Sequence, residues 1–142
     1  MGPRSGTERA TCFHVDVNGV LSLACAHVPG LVRAALVLMP EGVLLGGLGD
    51  GGTFECEPLA RTAARCVKLE QVPLGDGACA RGTEFVFVGQ DAVVVVAGGR
   101  AEPRLALAVA CNREPNLALV VSSTRAALSN MEKAMDVASL EL

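Results

Sequence analysis

The sequence has no tryptophan and no tyrosine, and aromatic residues make up only 3% of its 142 residues. Proteins that hold single-stranded nucleic acid stack its bases on exposed aromatic side chains beside a basic groove. A formal net charge of −3 provides no such groove, so nucleic acid is not an expected partner. With so few aromatics, the core is expected to consist of Val, Leu and Ala.

Long hydrophobic runs are also missing. The most hydrophobic run, residues 92–97, is far shorter than the roughly 20 residues of a membrane span, and residues 1–10 contain no apolar stretch of signal-peptide length. We therefore expect a cytoplasmic protein without a membrane span. Hydrophobic residues nevertheless make up 51% of the chain, enough for one folded domain over residues 16–135, with a flexible extension at 1–15 and a frayed tail at 136–142.

Residue patterns that carry catalysis or bind metal are scarce. His14 and His27 are the only histidines, and neither has a Cys, His or carboxylate three or four residues later that would suggest a zinc site. The sequence contains neither the Gly-x-Ser-x-Gly turn of hydrolases nor a phosphate-binding P-loop. We therefore expect no enzymatic activity, no metal and no cofactor.

Six cysteines are scattered along the chain without any Cys-x-x-Cys pair. Each is surrounded by small apolar residues, as expected of reduced thiols in the core of a cytosolic protein. They are Cys12, Cys25, Cys56, Cys66, Cys79 and Cys111.

Apolar spacing, capping residues and turn residues predict the order α-β-β-α-β-β-β-α. The predicted helices cover about residues 16–28, 55–70 and 116–135, and the predicted strands 31–38, 43–46, 85–88, 92–97 and 104–111. Residues 46–53 and 73–82 are predicted to be loops because of their glycine content. A hairpin and a three-stranded meander then form a five-stranded antiparallel sheet with helices on both faces, an α/β (α+β) sandwich.

The segment Gly47 to Gly52 matches the pattern G-x-G-x-x-G of dinucleotide-binding loops. In those proteins the preceding strand is central in a parallel sheet, whereas here it is one arm of a hairpin. Glu55 and Glu57 also place negative charge at the start of the next helix, where a pyrophosphate would bind. A solvated loop is the favoured interpretation, and a nucleotide-binding enzyme using this loop is the alternative.

Three segments at matching positions resemble the roadblock/dynein light-chain family, which includes bacterial polarity regulators. The first is Val28-Pro29-Gly30 before the first strand, with Pro40-Glu41-Gly42 in the following turn. The second is the strand pair over residues 85–97, and the third is the segment Glu114 to Val120, which is similar to the Asn-Leu-Gly-Leu start of the family's last helix. Together they cover about residues 16–131, although Ala118 replaces the family's glycine.

The resemblance implies a roadblock/profilin-like fold and a homodimer in which the middle helix and an edge strand meet their symmetry mates. It also implies binding of a Ras-like small GTPase or another roadblock protein, in control of polarity, motility or transport. The candidate dimer interface is Leu59, Ala60, Ala63, Val67, Phe85 and Phe87, and the candidate partner-binding residues are Arg61, Arg65 and Lys68. The alternative for the interface residues is that both surfaces face the chain's own core.

Overall fold

The computed structural model describes residues 16–49, 56–66, 71–75, 78–81, 84–112 and 116–135. Within these ranges lie three helices and seven strands. The helices are α1 (Val17–Ala24), α2 (Glu57–Cys66) and α3 (Leu117–Ala134). The strands are β1 (Leu31–Leu38), β2 (Val43–Leu48), β3 (Gln71–Gly75), β4 (Ala78–Arg81), β5 (Glu84–Val88), β6 (Ala92–Gly98) and β7 (Leu105–Asn112). No described helix has the length and apolar character to cross a membrane.

Five strands form one antiparallel sheet in the order β2-β1-β7-β6-β5. The β1–β2 hairpin and the β5–β6–β7 meander join through pairing of β1 with β7, in which Leu36 lies opposite Leu107. This arrangement confirms the predicted five-stranded sheet. It places β2 and β5 at the two edges of the sheet.

Both faces of the sheet are covered by helices, and each face has its own core. Side chains alternate along β7, so that Leu105, Leu107 and Val109 point to one core and Ala106 and Ala108 to the other. The first core lies under α1 and α3 and is called the α1/α3 face. The second lies under α2 and is called the α2 face. Strands covered on both sides are apolar at every position, which explains the continuous burial of residues 105–109.

The helices cover different parts of the sheet. On the α1/α3 face, α1 contacts β2 while α3 lies over β6 and β7. On the other face, α2 lies mainly over β1 and β7. Edge strand β5 makes its main contacts with β6 alone among the described elements.

Capping residues mark the starts of two helices. The Asp16 carboxylate accepts a hydrogen bond from the Gly19 N–H at 3.1 Å, and the Asn116 side chain accepts one from the Leu119 N–H at 3.2 Å. The first helix ends four residues earlier than the predicted limit at Val28. Gly30 precedes β1 with a φ of 67°, a left-handed conformation that favours glycine.

Two predicted loops were placed wrongly. The loop expected from residue 46 begins later, because Gly46, Gly47 and Leu48 belong to β2. A Cβ on Gly46 would lie 2.6 Å from Cγ1 of Val17, so these glycines permit close approach of neighbouring elements rather than forming a turn.

The loop expected over residues 73–82 contains the two-stranded ribbon β3–β4, in which Val72 lies opposite Ala80. Proline at position 73 is tolerated because each strand of a two-stranded ribbon is an edge strand.

Apart from the start of α2, the remaining element boundaries agree with the predictions to within one residue where the chain is described. Helix α2 begins two residues later than predicted, and its expected final residues 67–70 lie outside the described ranges. The predicted extension 1–15 and tail 136–142 also lie outside them.

Candidate interaction site at strand β5

Strand β5 is open along one edge and has exposed apolar side chains on both faces. It pairs with β6 on one side, and no other described strand pairs with it. Val86, Phe87 and Val88 are 39%, 43% and 56% exposed. An edge strand presents N–H and C=O groups that can pair with another chain. The strand is therefore a candidate site of association.

The register with β6 assigns each β5 side chain to a face. Phe85 lies opposite Val96 and Phe87 opposite Val94, so both phenylalanines are on the α2 face. Since side chains alternate along a strand, Val86 and Val88 are on the α1/α3 face. Phe85 is half-buried against the α2 core, while Phe87 remains largely exposed.

A groove lies beside α2, which lies mainly over β1 and β7 and, among the described contacts, not over β5. The groove has a volume of about 440 Å³. It is lined by Thr62, Arg65, Cys66, Phe87 and Val94. Its apolar floor and basic rim suit a segment that carries apolar and acidic or polar side chains.

A second groove lies on the α1/α3 face between α3 and the start of β5, with a volume of about 570 Å³. Leu117 and Val121 form part of its apolar lining, and Glu84, Arg100 and Arg125 form its charged end. The guanidinium of Arg125 binds the carboxylate of Glu84, and Arg100 lies 3.7 Å from the same carboxylate.

The structure places the predicted interface residues in two different environments. Leu59, Ala60 and Ala63 are 7%, 0% and 0% exposed, and they belong to the core between α2 and the sheet. They contact the chain's own sheet, which is the alternative stated with the prediction. Val67 lies outside the described residues, so Phe85 and Phe87 are the predicted positions that remain beside the open edge.

The predicted partner-binding arginines lie on the outer side of α2. Arg61 and Arg65 are both exposed, and their spacing of four residues places them on the same side of the helix. Arg65 borders the groove beside Phe87. Lys68 lies outside the described residues.

Sequence reasoning identified residues 85–88 as an apolar strand that needs a partner, but it named only Phe85 and Phe87 as interface candidates and missed the Glu84–Arg125 pair. The alternation of β5 could have indicated that its valines form a second apolar surface. No local pattern could have paired Glu84 with Arg125, because the two residues are 41 positions apart.

The described part of the glycine-rich motif has a packing role. The Gly47 N–H donates to Oδ1 of Asn18 at 2.9 Å, and a Cβ at Gly47 would lie 2.7 Å from Sγ of Cys56. A phosphate-binding loop needs backbone N–H groups that are free to meet the ligand. Gly47 does not offer one, and residues 50–52 of the motif lie outside the described ranges.

Four of the cysteines, Cys25, Cys56, Cys66 and Cys111, are buried free thiols. Burial raises the pKa of the Cys25 thiol to about 11, with a smaller contribution from Cys111, and burial raises the pKa of Cys111 to about 11 as well. Sγ of Cys56 donates to the carbonyl oxygens of Ala34 and Leu48, both at 3.3 Å. Thiols with raised pKa values are poor nucleophiles at neutral pH. In the described ranges, no three His, Cys, Asp or Glu side chains are grouped so as to hold a metal ion.

Neither family models nor curated proteins match this chain, whereas several solved structures do. A roadblock/LC7 domain from Streptomyces avermitilis has a TM-score of 0.67 and 19% identity, covering 84% of this chain and 97% of that one. Myxococcus xanthus MglB has a TM-score of 0.62 and 17% identity, covering 84% and 94%. MglB in a tetrameric arrangement has a TM-score of 0.57 and 22% identity, covering 92% and 91%. These similarities confirm the resemblance seen in the sequence at the level of structure: the chain has the fold of roadblock/LC7 domains.

Proposed function

We propose that this chain is a non-catalytic, dimeric regulator or adaptor that binds a Ras-like small GTPase or a second roadblock protein. The observation that carries the proposal is strand β5, which is open at its edge and apolar on both faces within a roadblock/LC7 fold. The backbone N–H and C=O groups along such an edge can form hydrogen bonds with a strand of another chain. We propose that it takes part in the control of cell polarity, motility or transport.

In the proposed dimer, the β5 strands of two copies pair about a two-fold axis. A two-fold axis normal to the sheet requires these strands to be antiparallel, and the two five-stranded sheets then become one continuous sheet. Each copy would cover the exposed ring of Phe87 in the other. The residues that line the groove beside α2 supply the rest of the contact, while Leu59, Ala60 and Ala63 hold α2 on its own sheet.

Sedimentation velocity over a wide concentration range tests self-association. We expect the wild type to form a dimer and the Phe87→Asp variant to remain monomeric, because a carboxylate at this position would lose its hydration in an apolar interface. Leu23→Asp is the matched control, since Leu23 is an apolar side chain on α1 that is 79% exposed. That variant should dimerise like the wild type. A wild type that stays monomeric at every concentration would contradict the proposed dimer.

The GTPase partner rests on the roadblock resemblance and on the exposed basic side of α2. Arginines on a surface attract an acidic partner and increase the rate of association. Added salt screens this attraction and lowers the rate. If the chain stimulates GTP hydrolysis, we expect it to order the GTPase's own switch loops, because Arg61 and Arg65 lie exposed on a helix rather than in an extended finger.

Calorimetry against the Ras-like GTPases of the same cell, each loaded with GDP or a GTP analogue, tests this partner. We expect binding that depends on the nucleotide and an affinity that falls in the double variant Arg61→Ala, Arg65→Ala. Arg104→Ala is the control, since Arg104 is exposed at the turn between β6 and β7 and forms an ion pair with Glu102. Absence of binding to all these GTPases and to other roadblock proteins would overturn the proposal.

A further inference from the structure

One side chain of α3 adds a link between the edge strand β5 and the rest of the fold, besides the pairing of β5 with β6. Nε of Arg125 donates to Oε2 of Glu84 at 2.7 Å, and Nη2 of the same arginine donates to the same oxygen. Nη1 donates to the carbonyl oxygen of Gly98 at 2.8 Å. Glu84 is the first residue of β5 and Gly98 is the last residue of β6. One guanidinium therefore joins α3, β5 and β6.

This pair is more buried than the Arg104–Glu102 pair, and it joins residues much farther apart in the sequence. The side chains of Arg125 and Glu84 are 18% and 24% exposed, whereas that of Arg104 in its pair with Glu102 is 52% exposed. A planar guanidinium that donates through several N–H groups holds its acceptors in a defined direction. Partial burial also reduces screening by salt. The contact is thus suited to fixing the position of a strand.

Strand β5 benefits from such a contact because it lies at the edge of the sheet. Among the described elements its main neighbour is β6, and no described helix makes extensive contact with it. An edge strand held only by one ladder opens locally at low free-energy cost. A strand that must first be ordered before it can pair with a partner binds more weakly than one held in its bound conformation.

We propose that Arg125 is a positioning residue for self-association, which holds β5 ready to pair with a second copy of the chain. The inference rests on the proposed dimer, in which β5 is the paired edge. Arg125 acts through Glu84, which lies on the α1/α3 face because it pairs with Ala97. Arg100, 68% exposed and 3.7 Å from the Glu84 carboxylate, contributes little to this positioning because water competes with it.

The Arg125→Met variant tests the proposal through hydrogen exchange and sedimentation. We expect the β5 amides to exchange about tenfold faster than in the wild type, with unchanged exchange in β1 and β7, and the dimer dissociation constant to rise about tenfold. Arg125→Lys, which keeps the charge but not the planar fork, should give intermediate values. Arg104→Met is the control and should alter neither measurement.

The two proposals fail in distinguishable ways. If the wild type never dimerises, self-association fails, but exchange in β5 of the monomer still reports on Arg125. Unchanged β5 exchange in Arg125→Met, or equal acceleration throughout the sheet, would overturn the positioning role. Should Arg125→Met not fold, Glu84→Gln removes the carboxylate charge with little change of shape, and the same exchange pattern decides.

Discussion

Two glycines of β2 are required by close packing. A Cβ on Gly46 would lie 2.6 Å from Val17 of α1, and one on Gly47 would lie 2.7 Å from the sulfur of Cys56. Both distances are shorter than van der Waals contact, so a side chain would not fit at either position. Glycine therefore allows α1 and the residues before α2 to pack directly on the strand. At this scale Gly47, the first residue of the segment that resembles a nucleotide-binding motif, is explained by contacts within the fold.

The Gly47→Ala variant should therefore be less stable than the wild type. We expect the free energy of unfolding to fall by about 1–3 kcal/mol through overpacking against Cys56, partly offset by the lower entropy of alanine in the unfolded chain. Urea denaturation followed by circular dichroism measures the change. Gly89→Ala is the control, because a Cβ there meets only a carbonyl oxygen at 3.3 Å. Equal stability of the two variants would contradict the packing role.

The buried thiols should make stability depend on pH in the alkaline range. The pKa values of Cys25 and Cys111 rise from 9.0 to about 11 in the folded chain, chiefly through burial. Above pH 9 the unfolded chain loses these protons while the folded chain keeps them, so the free energy of unfolding falls as the pH rises from 9 to about 11. Well below pH 9 these two groups contribute no slope, because the folded and the unfolded chain both keep the protons.

Urea denaturation at a series of alkaline pH values measures this effect. The double variant Cys25→Ala, Cys111→Ala should show a shallower decline between pH 9 and 11 than the wild type. An identical decline in both proteins would show that other groups cause it.

At the scale of elements, α3 combines an amphipathic helix with a defined start. The side chain of Asn116 caps the helix by accepting from the Leu119 N–H, while Val120, Thr124 and Leu128 point into the core at helical spacing. The cap fixes where the helix begins. The buried positions determine which side rests on β6 and β7.

Replacing the cap tests the contribution of the helix start. The Asn116→Ala variant should lose about 1 kcal/mol of stability, within the usual range of 0.5–2 kcal/mol, because one N–H of the first turn loses its acceptor. Thermal or urea denaturation measures the loss. Asn130→Ala, at an exposed position inside the same helix, is the matched control and should be neutral or slightly stabilising.

Element packing also explains the composition of β7. Its alanines Ala106 and Ala108 lie beneath α2, where Ala60 and Ala63 face them across the core. Small side chains on both elements allow the helix axis to approach the sheet closely. The larger residues Leu105, Leu107 and Val109 fill the space under α3 on the opposite face.

For the whole molecule, the two cores share the central strands β1 and β7. If one core unfolded, one face of β1 and β7 would become exposed to water while the other face remained packed. We therefore expect both cores to unfold together. Cys25 and Cys66 report on this directly, since the first is buried on the α1/α3 face and the second under α2.

Thiol labelling across a urea series, with peptide mapping, should give the same midpoint for Cys25 and Cys66. The Leu107→Ala variant creates a cavity at a fully buried site of the α1/α3 core. It should lower the free energy of unfolding by about 2–5 kcal/mol and shift the urea midpoints of both cysteines downward together. Leu23→Ala, at an exposed site, should change neither. Separate midpoints would show that the two cores unfold independently.

Local sequence patterns determined the elements and their order. Asp16 and Asn116 indicated two helix starts, and the apolar runs of β1, β6 and β7 indicated buried strands because each is long enough and bounded by turn residues. Short connections then required antiparallel pairing. The roadblock fold followed from this order and from three segments at matching positions, although glycine content led to one missed ribbon and one misplaced strand end.

Only the tertiary structure decided which surfaces are buried and which remain open. The residue pattern of an apolar helix face is the same whether the face packs on the chain's own sheet or on a second copy. The sequence therefore could not assign Leu59, Ala60 and Ala63 to the core. The open edge at β5 depends on the order of strands in the sheet. The Glu84–Arg125 contact depends on how α3 crosses that sheet, because side chains 41 positions apart meet only through the folding of everything between them.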